Sequence, residues 1–212
     1  MSFVPLGKLI AEKPIGNNSA LEASYPPMEF KLHDANTAPE ASKPVLKQAK
    51  EKYGFALNLF GVMAESPAAL KAYTTLSGIL EEDAELDAKE QQIVMLATSE
   101  FNGCDYCMAA HSIVAEKMAG VPEAIVKALR DGRDPDDAKA KALVRFTKAA
   151  LEHRGWIPEA EQEAFLDAGF SKRAVLDVIT ILALKTLSNY TNHLADTPLD
   201  EAFQPKAWSK GD

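Results

Sequence analysis

The stretch DAKEQQIVMLATSEFNGCDYCMAAHSIVAEKMAG, residues 87–120, decides how this chain folds. Asp87 is placed to cap a helix, and Glu90 three residues later completes a capping box. Ile93, Val94, Leu96 and Ala97 supply that helix with its buried face. Asn102-Gly103 breaks it, and a second helix carries the cysteines to about Met118, where Gly120 closes it. The segments on either side follow the same grammar. Ser66-Pro67 starts a helix with proline at its first position. Pro122 opens another that ends near Arg130, and residues 131–135 (Asp-Gly-Arg-Asp-Pro) form a polar turn. Helices are expected over 136–153, 158–168 and 171–193. The last is hydrophobic nearly all round and should be buried on several sides, within the domain or between subunits. No segment sustains a period of two, so the fold class is all-α. A weak echo of the 87–120 pair over 136–196 suggests two duplicated helical units.

Before residue 41 the chain reads differently. Pro5, Pro14, Pro26, Pro27 and Pro39 interrupt residues 1–40, which are expected to form an extended arm packed on the domain or on a neighbouring subunit. The helical domain then occupies 41–212. With 31 acidic and 23 basic side chains the formal net charge is -8. Such a surface repels phosphate backbones and anionic lipid, which argues against nucleic-acid and membrane partners. There is no basic start followed by a long apolar run and no stretch long enough to span a bilayer, so a cytoplasmic location is expected.

Cys104 and Cys107 are the only two cysteines. Closing so short a loop removes little unfolded-state entropy, so the pair is no structural staple. Opening a helix, the thiols are within disulfide range, and His111 lies one turn beyond Cys107 on the same face. A helix start lowers a thiol's pKa and an imidazole can take its proton, which favours a reactive thiolate. Redox catalysis is the favoured reading, against half of a zinc or iron–sulfur site and an inert buried pair. His111 is expected to do acid–base work. His193, near a helix C-terminus, is either a dipole partner or a second site residue. Glu100 stands between a solvent-facing charge and a site residue. Glu90 is read first as the capping-box acid, and Tyr106 as a packing residue before a hydroxyl donor to bound peroxide. His33 and His153 are read as surface or linker residues.

Glu90-Gln91-Gln92, then Asn102-Gly103-Cys104-Asp105-Tyr106-Cys107, then Ala109-Ala110-His111 together resemble the carboxymuconolactone decarboxylase superfamily, in its AhpD-like alkylhydroperoxidase branch. The resemblance implies an all-helical trimer or hexamer with thiol-dependent peroxidase activity and no bound cofactor. It implies Cys107 as the thiol that attacks peroxide, Cys104 as the resolving thiol and His111 in the proton relay. An external dithiol, a lipoyl group on a partner protein in better-characterised members, would reduce the resulting disulfide. Two positions depart from the pattern. Gln92 stands where the family has its relay glutamate, so the relay is complete only if Glu90 or Glu100 substitutes. Tyr106 stands where AhpD itself has a histidine. A lactone decarboxylase of the sister branch and a non-catalytic redox-sensing oligomer are the alternatives.

Overall fold

A computed structural model describes residues 25–211. Among these residues nine α-helices run α1 (Lys43–Tyr53), α2 (Asn58–Met63), α3 (Pro67–Asp83), α4 (Ala88–Asn102), α5 (Asp105–Lys117), α6 (Glu123–Arg130), α7 (Ala138–Glu152), α8 (Glu159–Asp167) and α9 (Lys172–Ala195). A 3-10 helix, Glu201–Lys206, follows, and the described residues contain no strand. The local signals set these boundaries. The Asp87 carboxylate accepts from the Glu90 N–H while the Glu90 side chain accepts from the Asp87 N–H, so the capping box is present in both directions. Ser66 caps α3 with Pro67 at its first position. Gly103 ends α4 at φ 67°, a left-handed conformation that glycine adopts without steric cost.

α4 is the central element, packed by α5, α6, α7 and α9, and its Val94, Leu96 and Ala97 are fully buried. Around it lie two apolar clusters. The larger joins α4 to α7, α8 and α9 and contains a stack of three rings. Phe146 and Phe165 have centroids 4.2 Å apart, and Phe165 and Phe170 4.5 Å. The smaller is built from α1, α2, the start of α5 and Phe203, and it contains both cysteines.

The sequence of the long helix α9 calls for burial on several sides, within the domain or between subunits, and the single chain covers one of them. Its inner face is buried, but Leu176, Ile179, Tyr190 and Leu194 form an exposed stripe in the single chain, with Leu176 66% exposed. α4 and α7 both have 15 residues, whereas α5 has 13 and α9 has 24, so the suspected repeat extends only to the first helix of each set. Residues 1–24 of the expected arm lie outside the described residues. Of the remainder, the Met28 N–H donates to the Leu194 carbonyl and the His33 N–H to the Gly61 carbonyl, so this part lies on its own domain. His33 is not a free surface residue. Its ring bridges the Thr37 carbonyl and the Glu65 carboxylate, 2.7 Å away, with the side chain 8% exposed.

Candidate active site

The turn at Gly103 places Cys104 at the N-cap of α5 and Cys107 at its third residue. Both thiols are free and buried. The unpaired N–H groups of a helix's first turn favour an anion there, so the backbone itself leans toward a Cys107 thiolate. The opposite wall comes from α9. Asn192 Nδ2 donates to Cys107 Sγ at 3.3 Å and reaches Cys104 Sγ at 3.7 Å, while Ser188 Oγ lies 3.8 Å from Cys107 Sγ. Lys185, one turn before Ser188, is fully buried as well.

These neighbours make the two thiols unequal. Burial opposes ionisation of Cys107, but the Cys104 thiol, the Lys185 ammonium and Ser188 outweigh it and hold Cys107 well below the usual thiol range. Burial pushes Cys104 up, and its hydrogen bond to Cys107 adds to the rise.

His111 is partly buried, and its Nδ1 lies 2.9 Å from Gln92 Oε1. An amide oxygen only accepts, so Nδ1 carries the ring proton and Nε2 is left as the base. Among the described residues no hydrogen bond joins His111 directly to Cys107. Burial, and then the Lys185 charge, hold the imidazole well below its ordinary pKa. This has a consequence for folding. The unfolded chain takes up a proton near pH ~6.5 that the folded chain refuses, so stability present above that pH is lost as the pH falls. The urea midpoint should therefore drop between about pH 7 and 5, and His111→Gln should flatten that part of the slope.

The carboxylates invoked as substitutes for a relay glutamate are engaged elsewhere. Glu90 closes the capping box and pairs with Lys139 at 2.7 Å. Glu100 pairs with Lys148 at 2.8 Å and lies 3.6 Å from Lys210. Both are partners of lysines on other elements, and Gln92 alone meets His111. Tyr106 is buried against Phe203, and its hydroxyl donates to Asp200 and accepts weakly from the Leu59 N–H. That ties α5 to the C-terminal segment and leaves no hydrogen for a bound peroxide. His193 lines a cleft of about 590 Å³ together with Cys104, Asp105, Asn192 and Thr197. Burial lowers its pKa, partly offset by Cys107 and by the Gly103 backbone. Cys104 belongs to the wall of this cleft, whereas Cys107 sits behind it against α9. Among the described residues no group of three or more His, Cys, Asp or Glu is arranged to hold a metal ion.

Lys185, Ser188 and Asn192 were not singled out from the sequence as site residues. A trace of them was there to find, because Lys185, Ser188, Asn189 and Asn192 interrupt an otherwise apolar helix at intervals of three and four, one polar line on one face.

Two reduced thiols of unequal acidity at a helix start, in an all-helical frame, define a dithiol protein of the AhpD-like fold. Residues 67–152, which carry both cysteines, Gln92 and His111, match the Carboxymuconolactone decarboxylase family. The fold is similar to the alkylhydroperoxidase AhpD core of a peroxidase-related protein from Ralstonia eutropha JMP134. That similarity has a TM-score of 0.74 and 22% identity, over 84% of this chain and 95% of that one. A peroxidase-related protein from Silicibacter sp. TM1040 is similar at TM-score 0.69 and 20% identity, over 85% and 97%. The debrominase Bmp8, as a Cys→Ala variant in complex with 2,3,4-tribromopyrrole, is similar at TM-score 0.70 and 16% identity, over 86% and 97%. No curated protein sequence matches the chain. No helix among the described residues is long and apolar enough to cross a membrane.

Proposed function

We propose that the chain is a thiol-dependent peroxidase whose Cys104–Cys107 pair cycles between dithiol and disulfide. The observation that carries this reading is a pair of free thiols at a helix start, with Asn192 Nδ2 3.3 Å and Ser188 Oγ 3.8 Å from Cys107 Sγ. The Cys107 thiolate attacks one oxygen of a hydroperoxide. The O–O bond breaks, the sulfur becomes a sulfenic acid, and the departing alkoxide takes a proton to leave as alcohol. The Cys104 sulfur then displaces hydroxide from the sulfenic acid, forming the S–S bond, and the released thiol proton makes that hydroxide water. With Gln92 holding Nδ1–H and Nε2 bare, His111 acts as a base: through an intervening water it takes the Cys104 thiol proton at Nε2 and passes it to the departing hydroxide, while the alkoxide takes its proton from solvent. An external dithiol reduces the disulfide, and the cleft lined by Cys104 and His193 supports its approach. The apolar stripe of α9 supports a homo-oligomer, trimer or hexamer.

The test uses the reduced protein and three substrates. Cumene hydroperoxide should be consumed one for one with loss of the two thiols, and turnover should require added dithiothreitol or dihydrolipoamide. Decarboxylation of a carboxymuconolactone with the thiols untouched would replace this reading with the sister chemistry. Bromide release from a brominated pyrrole without peroxide consumption would assign the same two electrons to a carbon–bromine bond.

A further inference from the structure

Lys185 is fully buried, and its Nζ has no hydrogen-bond partner among the described residues. A lysine rarely stays buried without an anion, since an unpaired ammonium away from water costs several kcal/mol. Its place on α9 is specific. Ser188 one turn later and Asn192 two turns later both reach Cys107 Sγ. The ionisable groups around it are Cys104, Cys107 and His111 of α5, with Tyr73 of α3 acting on the same sulfurs and on Ser188. The carboxylates of α4 are paired with Lys139 and Lys148, and Asp200 accepts from Tyr106. Among the described residues none of the ion pairs to a carboxylate includes Lys185. A thiolate is the anion left within its reach.

We propose that Lys185 is the counter-ion of the Cys107 thiolate, and that this buried pair makes the Cys104–Cys107 disulfide strongly oxidising. The inference rests on the dithiol reading above but does not depend on peroxide being the oxidant. Oxidation joins the two sulfurs and removes the only anion that the described residues place beside Lys185, leaving the ammonium without a counter-charge among them. Reduction restores its partner. In exchange with glutathione, two thiols deliver two electrons. The protein S–S bond breaks and glutathione disulfide forms. Cys104 takes one proton, the other goes to solvent, and Cys107 remains a thiolate against Lys185. A reduced form stabilised in this way raises the potential of the couple. Lys185 is thus a positioning residue, acting on the reacting sulfur by charge.

Lys185→Met keeps the length and apolar volume of the side chain and removes the charge. The thiolate is followed by its ultraviolet absorbance against pH, assigned with Cys104→Ser and Cys107→Ser, and the disulfide by equilibration in glutathione buffers. In Lys185→Met the thiolate midpoint should rise by at least about one pH unit. The glutathione equilibrium should move at least tenfold toward the disulfide, about 30 mV. A folded Lys185→Met with both readouts unchanged overturns the proposal. Where that variant fails to fold, the natural chain decides. So short a disulfide loop adds little entropic stability, so the reduced form should melt at the higher temperature, and an equal or lower melting point than the oxidised form overturns the ion pair. A shifted midpoint in a protein that consumes no peroxide would sink the peroxidase reading and leave the pair standing. Peroxide turnover with unshifted values would do the reverse.

Discussion

Cys107→Ser is expected to abolish hydroperoxide turnover, lowering it by at least about a thousandfold, as loss of an attacking nucleophile does elsewhere. A serine hydroxyl beside Lys185 and Asn192 stays protonated, and oxygen does not attack the O–O bond as a thiolate does. Cys104→Ser should behave differently, and the difference is the informative part. That variant retains the activated Cys107, so it should consume one equivalent of peroxide in a single burst and then stop, with a sulfenic acid trappable at Cys107 by dimedone. If the burst instead persists in Cys107→Ser and disappears in Cys104→Ser, the cysteine bordering the cleft is the attacking one, and the roles are reversed.

Phe165→Ala should be the most damaging core substitution away from the site. The ring is fully buried between Phe146 and Phe170, so its removal takes away both faces of a stack that joins α7 to α8. Truncating a phenylalanine in such a place costs about 3–5 kcal/mol, including the cavity left behind. Urea unfolding of the reduced chain should show the loss as a lower midpoint at unchanged slope. Phe165 belongs to the larger apolar cluster and the cysteines to the smaller one, so the variant that remains folded at low temperature should keep its thiolate. A loss below about 1 kcal/mol would mean that α8 is peripheral to the cooperative unit.

The parts of the architecture that were readable are those governed by neighbours in the chain. The Asp87–Glu90 box, the Ser66-Pro67 start and the Gly103 stop each involve groups within four residues, and each appears where the pattern placed it. The pairing of Cys104 with Cys107 and the reach of α5 to His111 are local in the same sense. The contacts that no local pattern announces are long-range. Glu90 and Glu100 were candidates to complete a relay because they lie near the thiols in sequence. Their true partners, Lys139 and Lys148, are supplied by α7, whose packing on α4 no short pattern announces. The exposed stripe of α9 is a related case: an all-round apolar helix states that its faces want cover, not which element provides it.

The sequence by itself determined that this chain is a set of capped helices with two thiols at the start of one of them, because hydrogen bonds across a single turn do not depend on the rest of the molecule. Only the tertiary structure decided what surrounds each thiol. Asn192 and Lys185 come to Cys107 from α9, far along the chain, and burial and Coulomb energy depend on distances that exist only once α9 has packed against α5.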